Sequence, residues 1–174
     1  MDEHAAPEDG LEVSHLQVAQ RLAEAAEHSR RQEGRNCGGG KAILYVEDEA
    51  FVREVTCDVL RNAGYRVMPA KNAFEAMKMF ALNDIDLLLS DVILPGENGH
   101  ALAAKLRRES PDLSVLLVTG YGDQMSGRVE GKEELLAKPF SSEKLLERVG
   151  QLLNREGANT AANKNHVMRA SAGA

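Results

Sequence analysis

Residues 86–99 read Asp-Leu-Leu-Leu-Ser-Asp-Val-Ile-Leu-Pro-Gly-Glu-Asn-Gly, and this stretch decides the fold. A short apolar run leads to Asp91, and a proline and glycines then mark a turn before a helical pattern begins. An apolar run of this length, bounded by turn residues, is typical of a buried strand. Residues 42–49 repeat the arrangement, because Ala-Ile-Leu-Tyr-Val is followed by Glu-Asp-Glu. We therefore predict two buried strands that each end in carboxylates.

Strands and helices alternate on both sides of this stretch. Apolar runs predict five strands, and apolar residues at helical spacing predict four helices. The strands are predicted at 42–46, 65–68, 86–90, 113–119 and 135–137, and the helices at 50–63, 72–82, 99–109 and 141–153. Residues 120–131 hold four glycines, so we expect any further helix there to be short. The alternation predicts an α/β domain with a doubly wound, five-stranded parallel sheet and helices on both faces.

The two ends of the chain differ from the alternating region. Residues 11–32 carry an alanine-rich apolar stripe that predicts an appended helix, and the glycines at 38–40 predict a flexible linker. Residues 155–174 are rich in Ala, Asn, Gly and Ser and predict a disordered tail. We therefore expect one folded domain at 41–154, preceded by a helix and linker at 1–40.

Composition excludes several classes of protein. No apolar run approaches the roughly 18 residues of a membrane helix, and the acidic start has no signal-peptide core. Two cysteines are too few for a disulfide framework, so we expect a cytoplasmic protein. The net charge is −6, aromatic residues make up 4% of the chain and Trp is absent, so neither a basic stripe nor a base-stacking platform is present. We expect no direct contact with nucleic acid or membrane.

Polar residues with complementary chemistry follow four of the predicted strands. Glu47 and Asp48 follow the first strand, Asp91 the third, Thr119 ends the fourth and Lys138 follows the fifth. Ligands of open parallel sheets bind beyond the carboxyl ends of the strands, so we expect these side chains to converge. Grouped carboxylates favour Mg²⁺, and a carboxylate beside Mg²⁺ and an ammonium is a suitable nucleophile for a phosphoryl group. The sequence therefore predicts phosphoryl transfer onto Asp91.

The motifs around these residues resemble the receiver domain of two-component response regulators. The matching stretches are Val-Glu-Asp-Glu at 46–49, Asp-Val-Ile-Leu-Pro-Gly-Glu-Asn-Gly at 91–99, Val-Thr-Gly at 118–120 and Lys-Pro-Phe at 138–140. The resemblance covers residues 41–154 and implies a flavodoxin-like fold with strand order 2-1-3-4-5. It also implies that a sensor histidine kinase or a histidine phosphotransfer protein is the phosphodonor.

The resemblance implies a role for each residue of the predicted site. Asp91 is the phosphoacceptor, and Lys138 binds the phosphoryl group. Glu47, Asp48 and Asp91, with the backbone carbonyl of Ile93, would hold Mg²⁺. Thr119 is the hydroxyl that moves toward the phosphate. The Lys138–Pro139 bond is expected to be cis, a form that only X-Pro bonds adopt at modest cost.

One position departs from the family pattern. The family often carries Tyr or Phe three residues before the lysine, where this chain has Leu135. Tyr121 lies two residues after Thr119, and we expect it to be a partly exposed loop residue rather than a substitute switch. The departure leaves the predicted phosphorylation chemistry unchanged.

We predict a phosphorylation-dependent response regulator that signals to an unknown downstream protein. Its only catalysis would be Mg²⁺-dependent phosphorylation and dephosphorylation of itself. The alternatives are a receiver fragment of a hybrid histidine kinase, a flavodoxin-like binding module and a purely structural interaction module. The length of the encoding gene, the colour of the purified protein and Mg²⁺-dependent labelling by acetyl phosphate would distinguish these alternatives.

Overall fold

The computed structural model describes residues 38–120, 128–129 and 133–154, together with Gln20. Eight strands and four helices lie in these ranges. The strands are β1 (Ala42–Val46), β2 (Arg66–Ala70), β3 (Leu87–Asp91), β4 (Ile93–Leu94), β5 (Glu97–Asn98), β6 (Ser114–Thr119), β7 (Arg128–Val129) and β8 (Glu133–Ala137). The helices are α1 (Ala50–Asn62), α2 (Ala73–Leu82), α3 (Gly99–Glu109) and α4 (142–154).

The sheet has the predicted topology. Its strand order is β2-β1-β3-β6-β8-β7, and the first five of these strands are parallel. They correspond to the predicted strands in the order 2-1-3-4-5, so the predicted fold class is confirmed. Two small features were not predicted. The two-residue strand β7 pairs antiparallel with β8 at one edge, and β4 and β5 form a short hairpin after β3.

Two apolar clusters cover the two faces of the sheet. The central strands β1, β3 and β6 are buried along their whole length, which explains their nearly continuous apolar sequences. Alternate strand residues contribute to opposite clusters. One cluster contains buried residues of α1 and α4, and the other contains those of α2 and α3. The helices therefore lie on both faces, and the polar strand ends are left at one edge.

Most element boundaries agree with the sequence within two residues, and capping residues explain them. Asn72 caps α2, because its side chain accepts a hydrogen bond from the Glu75 N–H at 2.9 Å. Gly64 has φ +89° and follows the end of α1, as predicted from the glycine there. The largest differences are two residues: β8 begins at Glu133 rather than at residue 135, and β2 ends at Ala70 rather than at residue 68.

Several predictions fall on the rest of the chain. The appended helix, apart from Gln20, and the tail at 155–174 lie outside the described residues, as does most of the glycine-rich region at 120–131. Gln20 is helical and exposed. In the part of the chain that the structure describes, the helices lack the length and apolar character needed to cross a membrane.

Candidate active site

The five predicted side chains all lie at the carboxyl end of the parallel sheet. The strand register brings the four strand ends together, because Val46 pairs with Ser90, the neighbour of Asp91, and Asp91 pairs with Val118. Thr119 pairs with Ala137, the residue before Lys138. The Lys138 N–H also donates to the Thr119 carbonyl at 2.7 Å.

Lys138 joins two carboxylates that come from different strands. Its Nζ lies 2.7 Å from Asp91 Oδ2 and 3.3 Å from Glu47 Oε2. The side chains of all three residues are at least nine-tenths buried. The predicted convergence of Glu47, Asp91 and Lys138 is therefore present in the structure. The Lys138–Pro139 peptide bond is cis, as expected.

The buried group carries an excess of negative charge. One ammonium faces two carboxylates, and burial raises the pKa of Glu47 to about 7, with Lys138 opposing and Asp91 adding to the shift. A buried carboxylate is costly unless positive charge or hydrogen-bond donors compensate it. For Asp91, the Ile93 N–H, 3.2 Å from Oδ1, is a donor in addition to Lys138 Nζ. The site can therefore accept further positive charge.

Three predicted residues lie around this buried group. Asp48 is exposed at the rim, and the Ile93 side chain is also exposed. Thr119 is buried at the end of β6. Across the described ranges, no three His, Cys, Asp or Glu side chains are grouped so that they alone could hold a metal ion. The assignment of Glu47, Asp48, Asp91 and the Ile93 carbonyl as Mg²⁺ ligands therefore remains a prediction.

The residues present nevertheless fit Mg²⁺. Glu47, Asp48 and Asp91 offer only oxygen donors, which are the ligands that Mg²⁺ prefers. Two of the three carboxylates are buried against a single ammonium, so a divalent cation would offset the remaining charge. Mg²⁺ usually keeps several waters, so it does not need a complete protein cage.

Arg53 holds part of the site in place and was not recognised from the sequence. Arg53 Nη1 donates to the backbone carbonyls of Glu47 at 2.6 Å and Asp48 at 3.0 Å. Arg53 lies near the start of α1, where the helix dipole disfavours a cation. An arginine at this unfavourable position was the one sequence feature that could have indicated a specific hydrogen-bond partner for Arg53.

Gly99 packs against the backbone of the candidate phosphoacceptor. A Cβ atom at this position would lie 2.2 Å from the Asp91 carbonyl oxygen, which is far too close. The Gly99 N–H also donates to the Val92 carbonyl at 2.8 Å. The start of α3 therefore fixes the chain just after β3. The sequence contained this glycine in a turn motif but gave no sign of the contact.

Leu135 is a core residue in this structure. It is buried in the cluster beneath α2 and α3, and its Cα partner on β6 is Leu117. Tyr121, the other residue considered for the switch position, lies outside the described residues. The described part of β8 thus carries an aliphatic side chain where the family often has an aromatic one.

Comparison with known sequences gives a consistent result. The profile of the "Response regulator receiver domain" family matches residues 43–150. The phosphate regulon transcriptional regulatory protein PhoB of Pseudomonas aeruginosa is 35% identical over 123 residues, which are 68% of this chain and 54% of that protein. The sensor kinase CckA of Brucella abortus is 30% identical over 137 residues, which are 76% of this chain and 14% of the kinase. The chain therefore spans about half or less of these two proteins.

Comparison with solved structures identifies the same domain. The receiver domain of the hybrid histidine kinase CckA has a TM-score of 0.58 and 39% identity, covering 64% of this chain and 98% of that domain. The response regulator TrrA of Thermotoga maritima, in complex with Mg(2+)-BeF, has a TM-score of 0.58 and 33% identity. That match covers 65% of this chain and 99% of TrrA.

Proposed function

The chain belongs to the response regulator receiver domain family, and from that premise we propose that it accepts a phosphoryl group on the Asp91 carboxylate. The observation that carries the proposal is the contact between Lys138 Nζ and Asp91 Oδ2 at 2.7 Å, beside the second buried carboxylate of Glu47. An ammonium next to a carboxylate at the carboxyl edge of the sheet suits the transfer of an anionic group.

In the proposed reaction, an Asp91 oxygen attacks the phosphorus of a phosphorylated histidine. A phosphorus–oxygen bond forms while the phosphorus–nitrogen bond breaks, and the leaving imidazole nitrogen keeps the electron pair and takes up a proton. The product is an acyl phosphate on Asp91. The Lys138 ammonium then pairs with the phosphoryl oxygens instead of the Asp91 carboxylate. The movement is short, because Lys138 already contacts Asp91.

We propose that Glu47, Asp48 and Asp91, with the Ile93 carbonyl, hold Mg²⁺ during this transfer. When bound, Mg²⁺ neutralises charge on the transferring oxygens. The TrrA structure is a complex with Mg(2+)-BeF, which supports a divalent cation at this site. Arg53 would keep the backbone of Glu47 and Asp48 in place as the cation binds.

We propose that Thr119 reports the phosphorylated state. Its position at the end of β6, next to the strand partner of Asp91, would let its hydroxyl bond a phosphoryl oxygen. The Thr119 carbonyl already accepts from the Lys138 N–H, so the two residues would move together. The signal would pass to a downstream protein in the cytoplasm through contact between surfaces.

The phosphodonor is proposed to be a sensor histidine kinase or a histidine phosphotransfer protein. A second candidate function is a receiver that belongs to a hybrid histidine kinase. The 39% identity with the receiver domain of the hybrid kinase CckA favours this candidate. Both functions use the same Asp91 chemistry, and phosphoryl transfer from Asp91 back to a phosphotransfer histidine would distinguish the relay from a stand-alone regulator.

Intact mass measurement after incubation with acetyl phosphate tests the proposal. We expect the mass of one added phosphoryl group with Mg²⁺ and no addition when EDTA replaces Mg²⁺. Labelling should be lost again after Mg²⁺-dependent hydrolysis. A protein that stays unlabelled at saturating Mg²⁺ would contradict phosphoryl acceptance and would favour a purely structural module.

A further inference from the structure

A tyrosine hydroxyl lies inside the core, next to the candidate active site. Tyr45 is on β1 and is 3% exposed. Its Oη lies 3.5 Å from Glu47 Oε2, which is a long contact for an O–H···O hydrogen bond. Residues 45 and 47 are two apart on a strand, so their side chains leave the sheet on the same face. The phenol therefore lies on the same face of the sheet as the carboxylate.

The Tyr45 hydroxyl carries one hydrogen that it can donate, and its oxygen can also accept. Burial raises its pKa well above the usual value, and the Glu47 charge raises it further. A buried phenol needs a hydrogen-bond acceptor, because an unpaired buried hydroxyl is costly. The Glu47 carboxylate is one acceptor within reach of the phenol, and the Thr56 hydroxyl also lies close to it.

Among the described residues, three groups donate to the Glu47 side chain, and one of the three is charged. Lys138 Nζ and the Tyr45 phenol both reach Oε2, and the Glu49 N–H reaches Oε1 at 3.4 Å. In the proposed reaction Lys138 turns to the phosphoryl group. The Tyr45 phenol and the Glu49 N–H then remain as the donors to Glu47.

From these contacts we infer that Tyr45 is a positioning residue, which orients the Glu47 carboxylate for Mg²⁺ by donating its phenolic hydrogen to Oε2. The inference rests on the proposed function. A neutral donor suits this role, because it fixes the carboxylate without cancelling the negative charge that attracts the cation. Groups that orient a metal ligand in this way commonly contribute strongly to metal affinity.

The variant Tyr45→Phe removes only the hydroxyl. We expect its Kd for Mg²⁺, measured by calorimetry, to rise roughly tenfold, the lower end of the usual loss when such a group is removed. Labelling by acetyl phosphate should slow at low Mg²⁺ and recover at saturating Mg²⁺, because Tyr45 does not touch the phosphoryl group. Tyr65→Phe is the matched control, since Tyr65 is also buried but lies beyond the opposite end of α1.

Ultraviolet difference spectroscopy gives a second measurement that does not alter Tyr45. The chain has three tyrosines and no Trp, so the double variant Tyr65→Phe/Tyr121→Phe leaves Tyr45 as the only tyrosine. We expect Mg²⁺ to change the tyrosine absorption of this protein. This measurement decides the matter if Tyr45→Phe does not fold.

The outcomes separate the two proposals. If wild-type protein binds Mg²⁺ and is labelled, but Tyr45→Phe has the wild-type Kd, the role of Tyr45 is wrong and the proposed function stands. An unchanged tyrosine spectrum on Mg²⁺ binding by the single-tyrosine protein would likewise overturn it. If wild-type protein neither binds Mg²⁺ nor is labelled, both proposals fail together.

Discussion

Lys138 Nζ lies 2.7 Å from Asp91 Oδ2, although the two residues are 47 positions apart in the chain. The contact crosses from the end of β8 to the end of β3, over the intervening strand β6. The Lys138 side chain is 1% exposed and the Asp91 side chain 7% exposed. The parallel sheet thus brings a buried cation to a buried carboxylate at its carboxyl edge.

Removing the Lys138 charge should destabilise the protein in a way that Mg²⁺ partly reverses. Lys138→Met leaves Glu47 and Asp91 buried without their shared cation, and breaking a buried ion pair costs about 3–5 kcal/mol. We expect the free energy of unfolding in urea to fall by about 3 kcal/mol. Mg²⁺ should restore part of this loss, because it supplies positive charge to the same carboxylates.

Lys144→Met is the control for that experiment, because Lys144 forms an exposed ion pair with Glu147 on α4. Its free energy of unfolding should change by less than about 1 kcal/mol, the usual range for a surface pair. An identical loss for Lys138→Met with and without Mg²⁺ would refute the shared site of the cation and the lysine.

Gly99→Ala should displace the candidate phosphoacceptor. The new methyl group would lie 2.2 Å from the Asp91 carbonyl oxygen, so either α3 or the end of β3 must move. We expect a loss of roughly 1–3 kcal/mol in the free energy of unfolding, typical of overpacking, and slower labelling by acetyl phosphate. Gly96→Asn is the control in the same loop, because Gly96 has open space around it and Asn tolerates its positive φ. Equal labelling rates in Gly99→Ala and wild-type protein would show that this contact does not position Asp91.

Arg53→Met should weaken Mg²⁺ binding without removing any carboxylate. The variant loses the two hydrogen bonds to the carbonyls of Glu47 and Asp48, which frees the loop between β1 and α1. Calorimetry should give a Kd for Mg²⁺ that is higher by roughly a factor of ten. Arg61→Met, in the last turn of the same helix, should keep the wild-type Kd. A wild-type Kd in Arg53→Met would mean that the loop holds its shape unaided.

Thr56→Val should not destabilise the protein. Thr56 is 1% exposed, and its Oγ1 has no hydrogen-bond partner of good geometry among the described residues, although it lies close enough to the Tyr45 phenol to lower the pKa of that residue. Replacing an unsatisfied buried hydroxyl by a methyl group of similar size removes a desolvation cost of about 1–3 kcal/mol. We expect an equal or higher midpoint in thermal unfolding. A lower midpoint by several degrees would indicate that the hydroxyl has a partner.

The fold and the centre of the site were predictable because they depend on pattern and topology. Buried parallel strands have continuous apolar sequences, and their carboxyl ends share one edge of the sheet. The positions directly after the predicted strands therefore indicate Glu47, Asp91 and Lys138 from the sequence alone. This inference needs only the order of the strands and no knowledge of side-chain packing.

The parts that were missed depend on contacts between distant residues. Strand β8 begins two residues early because Glu133 and Glu134 have partners on opposite faces. His100 Nδ1 lies 2.5 Å from Glu133 Oε1, and Arg148 Nη1 lies 3.2 Å from Glu134 Oε2. Two adjacent acidic residues lower the predicted strand propensity, and the sequence does not indicate which helix will neutralise them. The contacts of Arg53 and Gly99 were not predicted either, because the sequence does not indicate which backbone groups lie next to these residues.

Locating the phosphoryl group is the most direct test of the central role of Asp91. Wild-type, Asp91→Asn and Asp86→Asn proteins would be treated with acetyl phosphate and Mg²⁺, and the modified residue identified by peptide mass spectrometry. Asp86 is a matched control, because it precedes the opposite end of β3 and pairs with Lys41. We expect one phosphoryl group on Asp91 in wild-type and Asp86→Asn proteins and none in Asp91→Asn. Undiminished labelling of Asp91→Asn, or a phosphoryl group on another residue of the wild-type protein, would contradict the assignment.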